Sequence, residues 1–310
     1  MIKDIKGLHH VTSMAADANE NNTFFTDTLG LRRIKKTVNF DAPDVYHLYY
    51  GDEMGTPGSV MTYFPFPNMP RGQRGVGEVG VTEFAVPKGS LGYWQTRLVD
   101  HGLVRQQKET VFGRERLSFD GPDGDGFALV EAEDHGRTPW TGAGVPETAG
   151  IFGFDGARFR LQDAAATGEL LEFMGYQKAE TKGNLTRYVI EGGNAADTID
   201  LEAFTSGPAA QQGAGSVHHI AFAVEDRAAQ LRVREQLMDT GYQVTPVIDR
   251  NYFWAIYFRT PGGVLFEVAT NEPGFDHDED TAHLGEALKL PAQYEGRRAE
   301  IERALPPIAA

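Results

Sequence analysis

The sequence predicts an α+β protein made of four copies of one β-α-β-β-β module, and three observations predict it. The order of strand-like and helix-like runs repeats four times along the 310 residues. The helix-like run of each copy stops at a glycine followed by an apolar residue: Gly30-Leu31, Gly102-Leu103, Gly175-Tyr176 and Gly241-Tyr242. Two His-His pairs, His9-His10 and His218-His219, each open a strand-like run, 209 residues apart (219 minus 10).

The first module spans about 7–67. Its strand His9–Ala15 leads to a helix over Asn22–Leu29, then to strands near Arg33–Asn39, Val45–Tyr50 and Ser59–Phe64. The second spans about 78–134, with strand Val81–Val86, helix Leu91–Asp100, and strands Arg114–Phe119 and Phe127–Glu131. The third spans about 150–204. Phe152–Arg160 opens it, a helix ends near Met174, and Thr186–Ile190 and Thr198–Ala203 read as strands. The fourth spans about 215–270, with strand His218–Val224, helix Ala228–Thr240, and strands Val244–Val247, Tyr252–Arg259 and Val264–Ala269. By sequence order this gives an N-terminal half (1–134), a Gly-, Pro- and Thr-rich linker (135–149), a C-terminal half (150–272) and a partly helical extension (273–310).

Composition narrows the chemistry. The chain is 41% hydrophobic and 24% charged, which suits a packed core. It has no cysteine, so disulfides, thiolate catalysis and cysteine-held metals are excluded. The net charge of −15 argues against nucleic acid as a partner, and no apolar run is long enough for a membrane span. Without a signal-like start, a cytoplasmic enzyme is expected, with homo-oligomerisation left open. The acidic run Asp276, Asp278, Glu279 and Asp280 reads as a solubilising loop.

Strand alternation selects the site residues. In the fourth module His219 shares a face with the small Ala221 and Ala223, while Ile220, Phe222 and Val224 take the other. The same rule groups His10 with Thr12 and Met14, and sets Glu267 opposite Phe266 and Val268. A buried carboxylate needs a partner, and two neutral histidines plus one carboxylate hold a ferrous ion while leaving coordination positions open. His10, His219 and Glu267 are therefore the expected ligands. His9 and His218 either orient those ligands or reach substrate. Tyr257 and Arg250 are candidates to stabilise charge on a bound oxygen, and Thr12 is a weaker one. His47 is expected to be structural, and Glu131, with no histidine near it, a relic of duplication.

These residues carry a resemblance. Leu8-His9-His10-Val11-Thr12, Tyr46-His47-Leu48-Tyr49-Tyr50, Gly55-Thr56-Pro57-Gly58, His218-His219, Arg250, Tyr257 and Arg259-Thr260-Pro261-Gly262-Gly263-Val264-Leu265-Phe266-Glu267 resemble the vicinal-oxygen-chelate superfamily of glyoxalases, bleomycin resistance proteins and extradiol dioxygenases. Within it the chain is similar to the hydroquinone ring-cleaving dioxygenases over nearly its whole length. The resemblance implies paired modules forming two curled sheets. It implies Fe(II) on His10, His219 and Glu267, with Mn, Ni or Zn able to replace it in purified protein. It also implies substrate or oxygen contacts from His9, Thr12, His218, Arg250 and Tyr257, and an aromatic diol and O2 as substrates. In catechol-cleaving relatives the first histidine opens the third module. Here that place is Phe152-Gly153-Phe154, so the first and fourth modules are expected to pair around the metal. The competing readings are a glyoxalase-type isomerase or lyase and a non-catalytic binder of aromatic compounds. The isomerase expects a fourth acid, and Val60-Met61-Thr62-Tyr63 offers none.

Overall fold

The computed structural model describes residues 1–309. The first module contains β1 (Leu8–Ala15), α1 (Ala18–Thr23), β2 (Arg32–Asn39), β3 (Ala42–Gly51) and β4 (Val60–Pro65). The second contains β5 (Glu78–Pro87), α2 (Leu91–Asp100), β6 (Gln106–Val111), β7 (Arg114–Asp120) and β8 (Gly126–Ala132). The third contains β9 (Gly153–Leu161), α3 (Ala165–Phe173), β10 (Gln177–Lys182), β11 (Leu185–Val189) and β12 (Thr198–Ala203). The fourth contains β13 (Val217–Val224), α4 (Arg227–Asp239), β14 (Ile248–Asp249), β15 (Phe253–Arg259) and β16 (Leu265–Pro273). The tail adds α5 (Ala292–Glu295) and α6 (Arg298–Ala304).

Two eight-stranded sheets result. One runs β14-β15-β16-β13-β1-β4-β3-β2, the other β10-β11-β12-β9-β5-β8-β7-β6. The first and fourth modules thus pair edge to edge through antiparallel β1 and β13, and the second and third through antiparallel β5 and β9. Each sheet takes one module from either side of residues 135–149. The bulky strand residues Phe222, Phe266 and Val268 join Val233 and Leu237 of α4 in the main hydrophobic core. A smaller cluster, including Tyr49, Val60, Ala221, Tyr252, Phe253 and Phe275, fills the inner side of the first sheet.

Four local readings change. The first helix starts earlier than Asn22, at Ala18, because the Asp17 carboxylate caps the Asn19 and Glu20 amides; a wider π turn then covers Phe24–Thr28. Val244–Val247 is not a strand. Pro246 has no amide to give a ladder; Thr245 makes single bonds to Tyr257, and regular pairing with β15 is confined to Ile248 and Asp249. Two strands, β6 and β10, have no alternating pattern to announce them. They are the outer edges of the second sheet, and every residue of β10 is exposed. The acidic run near 276–280 is not merely solubilising. Asp278 and Glu279 clasp the fully buried Lys35 ammonium at 2.8 and 2.6 Å, and Asp278 also accepts from the Tyr252 hydroxyl.

The central strand pair is not regular. Leu8 faces Phe222 and His10 faces Ala221, so His9 is an extra residue in β1. Thr12 faces His219 and Ser13 faces Val217, so His218 is an extra residue in β13. Each His-His pair therefore sits on a β-bulge, which bends the strand and re-aims its side chains.

Candidate metal centre

β1, β13 and β16 lie side by side, and each contributes one buried group: His10, His219 and Glu267. Their donor atoms all lie within 4.8 Å of one another. Glu267 Oε2 is 2.9 Å from His219 Nε2 and 3.3 Å from His10 Nε2, yet neither contact has the direction of a hydrogen bond. Both Glu267 oxygens, fully buried, lack any donor. A fully buried carboxylate whose neighbours aim past it fits a cation at the shared point. Two nitrogens and one oxygen suit a small divalent transition metal.

The bulges explain how the imidazoles are held. His9 Nε2 lies 3.1 Å from the Thr270 carbonyl, an acceptor, so that nitrogen carries the proton. His9 Nδ1 is then a lone pair, and His10 Nδ1–H donates to it over 2.9 Å. That leaves His10 Nε2 as a bare lone pair towards Glu267. The second pair has the same contact, with 2.8 Å between His218 Nδ1 and His219 Nδ1, but no carbonyl holds a proton on His218 Nε2. Burial, with the neighbouring His10, lowers His9 to about 3. Burial and His219 lower His218 to about 4. Both are neutral at physiological pH, the form a hydrogen-bond acceptor for a ligand's N–H must have.

The three groups open onto a cavity of about 470 Å³. His218, Arg250 and Tyr257 line it, with Phe64, Phe66 and Phe253 among the apolar wall residues. Arg250 Nε donates to the Tyr257 hydroxyl at 3.2 Å, and its guanidinium reaches Asp41 at the rim at 3.5 Å. Burial and the Glu267 charge raise Tyr257 well above its usual value, so it keeps its proton. Two candidate residues lie elsewhere. His9 lines a separate cavity of about 200 Å³ near Phe275, and Thr12 is fully buried under the cavity floor. His47, expected to be structural, and Tyr49, not singled out in the sequence, line the main cavity. The signal was present: alternation puts positions 47 and 49 on one face of β3, and both are polar aromatics.

The second sheet carries the same two bulges, at Gly80 in β5 and Asp155 in β9. Matching the bulges sets Gly156, Val81 and Ala128 where the first sheet has His10, His219 and Glu267. Glu131 is therefore not the counterpart of Glu267. It accepts a hydrogen bond from the Gly89 amide instead. The inner face of this sheet holds buried ion pairs: Arg116 with Glu83, and Arg187 in a two-pronged pair with Asp200 at 2.8 and 2.7 Å.

Comparison with known proteins agrees with this geometry. The family model for the Glyoxalase/Bleomycin resistance protein/Dioxygenase superfamily matches residues 126–268. The chain is 42% identical to MhqO of Bacillus subtilis (strain 168), named as a ring-cleaving dioxygenase, over 99% of this chain and 98% of that one. It is 35% identical to the chlorohydroquinone/hydroquinone 1,2-dioxygenase of Sphingobium indicum, over 97% and 96% of the two chains. A crystal structure named for a dioxygenase of Bacillus subtilis superposes with a TM-score of 0.95 at 42% identity, covering 99% of this chain and 98% of that one. Glyoxalase I of Zea mays, at 15% identity and a TM-score of 0.59 over 86% and 92%, shares the fold alone. No helix among the described residues is long and apolar enough to cross a membrane. The chain belongs to the ring-cleaving dioxygenases of the glyoxalase/bleomycin resistance protein/dioxygenase superfamily.

Proposed function

We propose that this enzyme is an Fe(II)-dependent, extradiol-type dioxygenase that opens the ring of hydroquinones, with His10, His219 and Glu267 holding the metal. The observation that carries the reading is the Glu267 carboxylate, buried without a donor between two imidazoles, at the end of an aromatic-lined cavity. The hydroquinone-specific name of a relative at 35% identity supports the substrate class. When bound, the ferrous ion supplies the one-electron chemistry that couples dioxygen to the ring.

The chain's own groups do the rest. Phe64 and Phe253 form apolar walls that admit a planar ring and exclude water. His9 keeps the His10 proton on Nδ1, and His218 does so for His219. His218 is also assigned the proton transfers, because its Nε2 has no protein partner while that of His9 is committed to Thr270. Tyr257, protonated, and Arg250, beside it, donate to oxygens that gain negative charge. Thr12 adds a hydroxyl beneath them. Among the described residues the cluster has three members, which favours a three-ligand oxygenase site over the four ligands expected of an isomerase.

The test is oxygen uptake by protein loaded anaerobically with Fe(II), given hydroquinone, methylhydroquinone, chlorohydroquinones and catechol. Uptake with para-diols that disappears in His219→Ala is the expected result. No uptake with any diol, at verified iron content, would overturn the reading.

A further inference from the structure

We propose that the outer end of the metal-site cavity, between Met14 and Met69, is a subsite for an uncharged apolar substituent, so that the hydroquinones this site takes best carry an alkyl chain longer than methyl. The inference rests on the reading of that cavity as the ring-cleaving site. Size is the first support. The cavity holds about 470 Å³, within the range that takes a drug-sized ligand, whereas unsubstituted hydroquinone is a single ring with two hydroxyls. A ring set against the metal ligands leaves much of that space to a substituent.

The strands give the cavity a direction. β1 keeps an unbroken register with β4 from His10 to Ala15, so His10 and Met14 share one face. Met14 therefore lies about 13 Å along the strand from the ligand histidine. The same register places Phe64 of β4 beside Met14. β16 runs opposite to β1, so Leu265, which precedes Glu267 on its face, is displaced from the metal ligands in the same direction as Met14. Phe66 and Met69 belong to the loop after β4 and carry the lining past the strand's end. All five side chains line this one cavity.

The charged groups gather at the other end. Tyr257 stands across from Glu267 in the sheet, and Arg250 donates to Tyr257. Among the described residues Arg250 is the only arginine or lysine lining the cavity, and its guanidinium is already shared between Tyr257 and Asp41 at the rim. A carboxylate on the substituent would find no free cation at the Met14 end and would meet the Asp41 charge on its way in. Of the polar residues bordering that end, Gln212 is uncharged and exposed, His218 is bonded to His219, and His47 is engaged by Tyr49 and Thr62. An alkyl chain meets the opposite conditions. Phe64, Phe66, Met69 and Leu265 are each only half-buried, so they keep apolar surface that water covers until a ligand does. Two methionines in the lining adapt to chains of different shape, because the side chain is unbranched and has three rotatable bonds.

The experiment has two arms. In the first, metal-free protein is titrated by calorimetry with phenol and with meta-alkylphenols from methyl to hexyl. Each added methylene should tighten binding about two- to fourfold until the subsite is filled. Met69→Glu puts a charge at a half-exposed loop position and should cut the preference for hexylphenol over phenol about tenfold or more. Phe66→Ser serves if that variant does not fold. In the second arm, Fe(II)-loaded protein is given O2 with hydroquinone and its alkyl series. kcat/KM should rise along the series, and the ratio of hexylhydroquinone to hydroquinone should fall in Met69→Glu. Affinity and kcat/KM that stay flat or fall with chain length would overturn the proposal, as would unchanged ratios in the folded variant. If no diol is cleaved, the proposed function fails, and the phenol titration alone decides the subsite.

Discussion

Glu267 Oε2 stands 2.9 Å from His219 Nε2, and the two groups face a common third point rather than each other. Such an arrangement is stable only when something cationic occupies that point. Adding a divalent metal to the metal-free protein should therefore raise its melting temperature by roughly 5–10 °C, as tight binding to the folded state requires. His219→Ala should show no such rise. Calorimetry with and without chelator measures both, and equal shifts in the two proteins would remove His219 from the ligand set.

Tyr63 of the first sheet donates to Asp125, beside β8 of the second, at 2.6 Å. Burial raises Asp125 from 3.8 to about 6. The folded protein then binds a proton that the unfolded chain has released, so stability falls as pH rises from about 3.8 to about 6. The loss amounts to about 3 kcal/mol and is complete above that range. Asp125→Asn keeps an acceptor for Tyr63 and should remove this slope, gaining stability at pH 7. Denaturant melts at pH 4, 5, 6 and 7 read the effect, and parallel curves for both proteins would contradict it.

Lys35 is fully buried against Asp278 and Glu279. Lys35→Met strands two acids and should cost about 3–5 kcal/mol. The damage should be local first. Amides of residues 276–290 should exchange with solvent much faster, while those of β5 to β12 keep their protection. Uniform loss of protection would mean that the tail is no separate clasp.

Arg116 is the partner of Glu83 deep in the second sheet. Arg116→Met leaves the buried Glu83 with only the longer contact to Arg158, at 3.9 Å, and should cost about 3 kcal/mol. Metal content and KM for a diol should be unchanged in the folded fraction, because Gly156, Val81 and Ala128 give this sheet no ligands. A changed KM would show that the second sheet shapes the site.

The repeat was legible because a module must bury one face of each strand, and Phe222, Phe266 and Val268 announce that face. His10, His219 and Glu267 were legible by the same alternation, since they replace small residues on the opposite face. The bulges at His9 and His218 were not. Alternation assumes an unbroken register, and the extra residue in each strand appears only when partners are aligned. β6 and β10 escaped because edge strands that are wet on both faces have no hydrophobic period. The buried role of Asp278 and Glu279 depended on Lys35, some 243 residues away, which no local pattern connects to them.

The sheet order also sets a schedule for synthesis. Strands β5 to β12 are contiguous in sequence and can pair while residues beyond 203 are still being made. β1 can pair early with parallel β4, but on one edge only. Its other edge must wait, with His10 lacking both partner groups, until β13 and then β16 emerge, the latter bringing Glu267, which lies 257 residues after His10 (267 minus 10). The sheet with the candidate metal centre is therefore the last to be completed. A ribosome stalled before residue 267 would carry a finished second sheet and no centre for metal to enter.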